Sequence, residues 1–88
     1  MEFDWDPPKH DRNLRERGFG FDIAALIFET PVLEFPDIRR DYGEIRIKAL
    51  GLVRGVLLSV VYTDRKDARW IISARRASRK ERRLWDAR

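Results

Sequence analysis

Basic side chains crowd the C-terminal part of the chain, where residues 70–83 read W-I-I-S-A-R-R-A-S-R-K-E-R-R. Residues 65–88 carry 10 Lys and Arg against 3 Asp and Glu, a net charge of +7, whereas residues 1–64 carry 9 against 12, a net charge of −3. Arginine predominates, and its planar guanidinium group donates two parallel hydrogen bonds to a phosphate. The asymmetry predicts a polyanionic ligand, most simply nucleic acid. The alternative is a solvated surface that pairs with the acidic part of the chain.

Within this run, Ser78 and Glu81 have the spacing of a helix capping box, so a helix is predicted to begin at Arg79. Its first turn then also contains Lys80 and Arg82. The N-terminal end of a helix dipole is positive, and folding alone favours acidic residues there. Because the cations oppose this local rule, they indicate an anion site at the start of the helix.

A second group of candidates lies near the N-terminus. Lys9, Asn13 and Arg17 are four residues apart, which on a helix places them in one row that faces either a phosphate or solvent. His10 is the only histidine, and we expect it to be exposed. One histidine and no cysteine disfavour a transition-metal site, and no serine has a nearby histidine partner for a hydrolytic triad. We therefore expect no cofactor and no metal.

The length of 88 residues predicts a single domain, residues 1–88, with a core of modest size. No apolar run approaches the roughly 20 residues that a membrane span needs, and the first residues lack the features of a signal peptide. The absence of cysteine suits a cytoplasmic protein. We therefore expect a cytoplasmic chain with no membrane association.

The elements that must position the candidates begin with two helices. Asp6 is a good N-cap for the first helix, Pro7 suits its first position, and Gly18 is its natural C-cap. Asp22 is predicted to cap a second, shorter helix, which ends before Pro31 because the residue preceding a proline disfavours helical backbone.

Strand patterns and a last helix complete the chain. Short turns between apolar or alternating segments predict antiparallel strands at residues 32–35, 44–49, 56–63 and 68–75. The chain is therefore predicted to be α+β, a mainly antiparallel β-sheet with two N-terminal helices and one C-terminal helix packed on one face.

The open face of this sheet would carry the basic surface. Strict alternation along the last strand places four residues on that face: Arg69, Ile71, Ser73 and Arg75. If Arg46 and Lys48 of a neighbouring strand lie beside them, the face becomes a basic and partly apolar concave surface.

Several motifs together resemble the BrnT family of toxins from bacterial type II toxin–antitoxin pairs. They are F-D-W-D-P-x-K at the N-terminus, N-L-R-x-x-G-x-x-F after it, G-E-x-R at residues 43–46, V-L-L-S-V-V-Y-T at 56–63, and I-I-S-A-R-R-A-S-R-K-E-R-R at 71–83. The resemblance covers essentially the whole chain, and the last motif is specific because it fixes many spacings at once.

The resemblance implies a fold like that of the RelE ribonucleases and a metal-independent endoribonuclease that cleaves RNA and so inhibits translation. It implies neutralisation by BrnA, a DNA-binding antitoxin with a ribbon–helix–helix fold, in a hetero-oligomer that could be 2:2 and that contacts operator DNA through the antitoxin. Two positions depart from the family pattern. Arg17 stands where members often have histidine, and Trp85 stands near the place of a common tyrosine.

Cleavage of RNA through its own 2′-hydroxyl needs cations around the phosphorane and groups that move protons. The expected catalytic residues are Lys9, Arg46, Arg75, Glu81 and Arg82. The expected phosphate-binding residues are Arg17, Lys48, Arg69, Arg76 and Arg79. Glu81 has a competing structural role in the capping box, and Trp85 is a candidate for base stacking. The alternatives to an enzyme are a non-catalytic nucleic-acid-binding module and a protein-interaction module.

Overall fold

The computed structural model describes residues 1–88, and its helices and strands follow one another in runs, as is typical of an α+β domain. They are β1 (Phe3–Trp5), α1 (Pro7–Arg17), α2 (Phe21–Ala24), a 3-10 helix (Ala25–Glu29), β2 (Leu33–Pro36), β3 (Ile47–Val53), β4 (Val56–Arg65), β5 (Ala68–Arg76) and α3 (Arg79–Asp86). The longest helix has 11 residues, and no helix combines the length and the apolar character that crossing a membrane requires.

The five strands form one sheet in the order β1-β5-β4-β3-β2. β1 pairs with β5 in parallel, and the other three neighbours pair antiparallel. The β3–β4 connection is a two-residue turn in which Arg54 and Gly55 have φ values of 51° and 81°, as a tight hairpin of the mirror-image type requires. The prediction of an α+β domain with a mainly antiparallel sheet is confirmed.

Helices cover both faces of this sheet. On one face the apolar residues of α2 and the 3-10 helix, such as Phe21 and Ile27, pack against β3, β4 and β5 in the larger buried cluster. On the opposite face Trp85 of α3 packs on Leu50 and Leu57 in a smaller cluster. The prediction that all helices lie on one face is wrong, because α3 leaves the end of β5 and returns across the other face to bury Trp85.

A β-bulge divides the last strand. Val61 pairs with Ser73 whereas the next residue, Tyr62, pairs with Ile71, so Ile72 is an extra residue in β5. Such an insertion reverses the side on which the following residues lie. Arg69 and Ile71 therefore lie on the face of the sheet that α2 covers, which we call the α2 face. Ser73 lies on the face that α3 partly covers, which we call the α3 face. The prediction that Arg69 and Ile71 share one face with Ser73 and Arg75 is wrong, because strict alternation cannot show a bulge.

Several element boundaries also differ from the sequence prediction, and the differences at the starts of α2 and β3 have clear causes. α2 begins at Phe21 after Gly20, and the Asp22 carboxylate accepts a hydrogen bond from the neighbouring Ile23 N–H instead of capping the helix. The third strand begins at Ile47 and not at residue 44, because the preceding residues form a loop held by its own ion pairs. α1 spans the predicted residues and ends at Gly18, whose φ is 83°, although the Asp6 side chain makes no capping hydrogen bond.

Candidate nucleic-acid interface

The helix α3 covers only part of the sheet face on which it lies. Polar and basic side chains line the uncovered part, which we call the open floor. Strand pairing places Lys48 opposite Val61 and Val61 opposite Ser73. One step further along the strands, Ser59 lies opposite Arg75. Because residues directly opposite each other in a sheet share a face, side chains from β3, β4 and β5 meet on this floor.

Glu81 of α3 stands over this floor and binds cations from two strands. Its carboxylate accepts hydrogen bonds from Arg75 Nη1 at 2.7 Å and Nη2 at 3.0 Å, and from Lys48 Nζ at 2.8 Å. The Ser59 hydroxyl donates to it at 3.3 Å, and the Ser78 backbone N–H donates at 2.8 Å. The Ser78 hydroxyl in turn accepts from the Glu81 N–H at 3.2 Å, so the predicted capping box is confirmed.

This cluster keeps Glu81 ionised. Glu81 is only 5% exposed, and its burial alone would raise the pKa of the carboxyl group. The hydrogen bonds from Arg75, Lys48 and Ser78 outweigh that effect and hold the pKa of Glu81 well below its usual range. One carboxylate thus binds two cations, so the cluster retains one positive charge beside the open floor.

A cleft of about 370 Å³ opens beside this cluster, and we call it the α3 cleft. Lys48, Arg75 and Glu81 line it together with Lys80 of α3 and Arg39 of the loop at residues 37–46. Its remaining wall is apolar, formed by Phe35, Pro36, Ile38 and Leu84.

A second cleft, of about 420 Å³, lies next to it under the start of α1, and we call it the α1 cleft. Lys9 faces Arg39, Arg40 and Arg46 across it. Tyr42 lies among these arginines, with the Arg46 guanidinium carbon 3.8 Å and the Arg40 carbon 5.1 Å from its ring centroid. Two arginines of the loop thus lie over one aromatic ring, and Lys9 of α1 lines the same cleft.

The two clefts are parts of one surface. Arg39 lines both of them, and their floors are consecutive residue pairs of the same sheet face. We call this surface the basic groove and define it by Lys9, Arg39, Arg40, Arg46, Lys48 and Arg75. Its carboxylates are already occupied, since Asp37 pairs with Arg39 at 2.8 Å and Glu44 pairs with Arg46 at 3.3 Å.

The structure brings five of the ten predicted site residues together in the basic groove. Lys9 and Arg46 meet in the α1 cleft, and Lys48, Arg75 and Glu81 meet in the α3 cleft. Arg17 lies nearby, where it lines a depression of about 240 Å³ that also includes Lys9.

Three further predicted residues point elsewhere. Arg76, Arg79 and Arg82 are exposed and line neither cleft of the basic groove. Arg76 ends β5, whereas Arg79 and Arg82 lie on α3, and none of them joins the residues that the groove brings together.

Arg69 lies on the opposite face, among aromatic residues. Its guanidinium group pairs with Asp64 at 2.7 and 3.0 Å and covers the rings of Tyr62 and Phe28. The hydrogen bonds to Asp64 raise the pKa of Arg69 above its ordinary value. Burial, followed by a hydrogen bond to Glu34, likewise raises the pKa of Tyr62. Arg69 therefore belongs to a separate network, because the bulge in β5 places it on the α2 face.

Sequence reasoning missed residues 37–42 as a source of site residues and placed Arg46, at the end of the same loop, on a strand. Arg39, Arg40 and Tyr42 line the α1 cleft, although this segment reads as an ordinary polar connection. The available signal was the density of arginine in D-I-R-R-D-Y. The backbone N–H of Asp37 donates to the Arg46 carbonyl at 2.8 Å, which closes the base of the loop.

Several other candidates have structural roles. The Asn13 amide donates to the Phe19 carbonyl at 2.9 Å and fixes the chain after α1. His10 is half-buried and not exposed as predicted, because its Nδ1 accepts from the Phe21 N–H at 3.0 Å and its ring stacks on Trp5. Trp85 is buried, so it offers no free ring for base stacking.

A groove lined by cations from a helix, a loop and two strands is typical of proteins that bind a nucleic-acid backbone. Residues 5–81 match the family model described as the ribonuclease toxin, BrnT, of type II toxin–antitoxin systems. The chain belongs to this family, so the predicted resemblance is confirmed. No curated protein matches the chain.

Proposed function

We propose that this chain is the toxin of a type II toxin–antitoxin pair and that it cleaves RNA in the basic groove. Membership of a ribonuclease toxin family supports the class of activity. The observation that carries the proposed location is the convergence of Lys9, Arg46, Lys48 and Arg75 on one sheet face. No other part of the chain gathers predicted catalytic residues from so many elements.

In the proposed reaction the ribose 2′-oxygen attacks the adjacent phosphorus. A P–O2′ bond forms, the P–O5′ bond breaks, and the products are a 2′,3′-cyclic phosphate and a 5′-hydroxyl group. The phosphorane carries extra negative charge, and preorganised cations are usually the largest source of its stabilisation. Arg75 and Arg46 are assigned to this phosphate.

Glu81 is proposed to position Arg75 and Lys48 and not to transfer a proton. Its carboxylate is engaged by donors from three directions, and a pKa held well below the usual range leaves it without a proton to donate. Lys9, which no carboxylate pairs with, is assigned to donate a proton to the leaving 5′-oxygen. The 2′-hydroxyl proton passes to solvent.

We propose that the reaction needs no metal ion. No group of three or more His, Cys, Asp and Glu side chains is arranged to hold one. The carboxylates nearest the basic groove, those of Asp37, Glu44 and Glu81, are engaged by arginine or lysine, which lowers their availability as ligands.

The biological setting is proposed from the family. It comprises an antitoxin resembling BrnA with a ribbon–helix–helix fold, a hetero-oligomer such as a 2:2 complex, contact with operator DNA through the antitoxin, and inhibition of translation in the cytoplasm. We also propose that the fold is similar to that of the RelE ribonucleases.

A cleavage assay tests the proposed function. The purified chain is incubated with a labelled RNA of defined sequence, with and without EDTA. We expect fragments ending in a 2′,3′-cyclic phosphate, formed at equal rates in both reactions. Intact RNA would contradict the enzyme assignment, and cleavage abolished by EDTA would contradict the metal-independent mechanism.

A further inference from the structure

A groove of about 800 Å³ lies on the α2 face, on the other side of the sheet from the basic groove. It is bounded by β1, by the 3-10 helix and by the start of β2. Its floor is apolar and largely aromatic, and it is formed by the half-buried side chains of Phe3, Trp5, Leu26, Phe28 and Val32. An open groove with such a floor is suited to hold part of a partner molecule.

Carboxylates surround this floor, and we call the whole the acidic groove, defined by Glu2, Asp22, Glu29 and Glu34. None of these four carboxylates takes part in an ion pair. Arg69 is the one cationic side chain in the lining, and a carboxylate outside the groove already binds it. In a chain whose net charge is +4, this groove therefore keeps an excess of negative charge and is complementary to a cationic partner.

The arrangement of the groove favours cationic side chains over a metal ion or RNA. Its carboxylates do not converge, since no group of three or more His, Cys, Asp and Glu side chains is arranged to hold a metal ion. Negative charge repels the phosphates of RNA. Aromatic rings attract guanidinium and ammonium groups, and an apolar floor covers the methylene stems of Arg and Lys. The acidic groove thus fits a basic protein surface.

The chain has such a surface at the start of α3. Arg79 and Arg82 lie in the first turn of that helix, where the helix dipole disfavours cations, and both are exposed. Neither forms an ion pair, and neither lines a cleft of the basic groove. Being three positions apart, they are neighbours on the helix surface. Neither folding nor the proposed RNA site accounts for these two cations.

We infer that copies of this chain associate head to tail, with Arg79 and Arg82 of one copy bound by the carboxylates of the acidic groove of the next copy. The helix α3 and the acidic groove lie on opposite faces of the sheet, so the start of α3 reaches only the groove of another copy. Because the two surfaces differ, each contact leaves a free groove at one end and a free α3 at the other, and the assembly is an open chain. The inference does not depend on RNA cleavage.

The test measures self-association of the full chain by sedimentation velocity over a range of protein concentrations. It is run at about 0.1 M and at about 1 M salt, between which the Debye length falls from about 10 Å to about 3 Å. The groove variant is Asp22→Asn with Glu29→Gln. The helix variant is Arg79→Gln with Arg82→Gln. Two controls remove the same charges from exposed positions of α1 outside the acidic groove, and they are Asp11→Asn with Glu16→Gln and Arg12→Gln with Arg15→Gln.

We expect the average mass of the unaltered chain to rise with concentration at the lower salt and to stay that of a monomer at the higher salt. Each variant alone should lose at least tenfold in association constant, and both controls should match the unaltered chain. The two variants mixed in equal amounts should form dimers and nothing longer, because one supplies an intact α3 and the other an intact groove. Circular dichroism and the melting temperature of each sample verify the fold.

Several results would overturn the inference. They are an unaltered chain that is monomeric at every concentration in both salts, variants that associate as the controls do, and a mixture of the two variants that forms no dimer. A monomeric chain whose groove residues shift in an NMR titration with spermidine would assign the acidic groove to a small polycation instead. If the chain associates as expected but does not cleave RNA, the proposed enzyme function fails while the head-to-tail contact stands.

Discussion

At the scale of single residues, the negative charge of Glu81 holds the cationic groups of Arg75 and Lys48 in place. Arg75 donates both of its terminal nitrogens to that carboxylate, which holds the guanidinium plane in one orientation at the edge of the open floor. A fixed cation stabilises a developing charge better than a mobile one, because it does not have to reorganise during the reaction.

Replacement of Arg75 by alanine should therefore lower RNA cleavage by about 10²–10³-fold, the usual effect of removing one preorganised donor. The measurement is the initial rate on a defined RNA, with the melting temperature taken on the same sample. Arg83→Ala is the matched control, since Arg83 is an exposed arginine of α3 outside both clefts. A folded Arg75→Ala chain with the rate of the control would contradict the assignment.

The lowered pKa of Glu81 makes a prediction about stability and pH. Its pKa in the folded chain lies below the unfolded value of about 4.3, so ionised Glu81 stabilises the fold above that pH. This contribution is lost as the pH falls through the folded pKa. Glu81→Gln should thus be less stable than the unaltered chain at pH 7, by about 1.5–3 kcal/mol for lost hydrogen bonds to a charged group.

The difference in the free energy of unfolding between the two chains should shrink as the pH is lowered from 5 to 2. Denaturant unfolding followed by circular dichroism at several pH values measures it. Asp37 and Asp64 also have lowered pKa values, but they titrate in both chains and cancel in the difference. A difference that is constant with pH would show that Glu81 is not held in its charged form.

At the scale of elements, α3 connects the ion cluster to the core. Its first turn contributes Glu81 through the capping box, and its last turn buries Trp85 against Leu50 and Leu57. The two contacts are four residues apart, which is one helical turn, so both fall on the side of α3 that faces the sheet. Loss of either contact should loosen the wall of the α3 cleft.

Trp85→Ala should lower the free energy of unfolding by about 3–5 kcal/mol, the usual cost of removing a large aromatic side chain from a core. Denaturant unfolding at pH 7 measures this loss, and Trp85→Phe should recover most of it together with normal RNA cleavage. If Trp85→Ala retained full stability but bound RNA more weakly, the ring would have a role in base stacking after all.

At the scale of the whole molecule, the basic charge is not confined to the C-terminal residues. The basic groove takes Lys9 from α1 and Arg39, Arg40 and Arg46 from the loop at residues 37–46, all within the part of the chain whose net charge is negative. Folding therefore concentrates on one surface cations that are up to 66 positions apart in sequence, from Lys9 to Arg75.

RNA binding should accordingly weaken with salt, with a slope of log K against log salt of about −0.7 for each phosphate contacted. Arg40→Ala should make this slope less negative by about 0.7, whereas Arg54→Ala, in the β3–β4 turn, should leave it unchanged. Fluorescence anisotropy with a 2′-O-methyl RNA, which cannot be cleaved, measures the slopes. Equal slopes for the two variants would place Arg40 outside the RNA contact.

The sequence by itself determined the features that depend on neighbours along the chain. Residue types and their spacing were enough to predict the capping box at Ser78 and Glu81, the extent of α1 with its end at Gly18, the last strand and the family motifs. Hydrogen bonds within one turn and side-chain periodicity involve only a few consecutive residues, so their signal is present in the linear order.

The tertiary structure alone decided which of the candidate cations act together. The bulge at Ile72 moved Arg69 away from Arg75, and the packing of Trp85 placed α3 on the second face of the sheet. The contact between Lys48 and Glu81 spans 33 positions. Strand register and the burial of distant apolar residues set such contacts, and no local pattern encodes them.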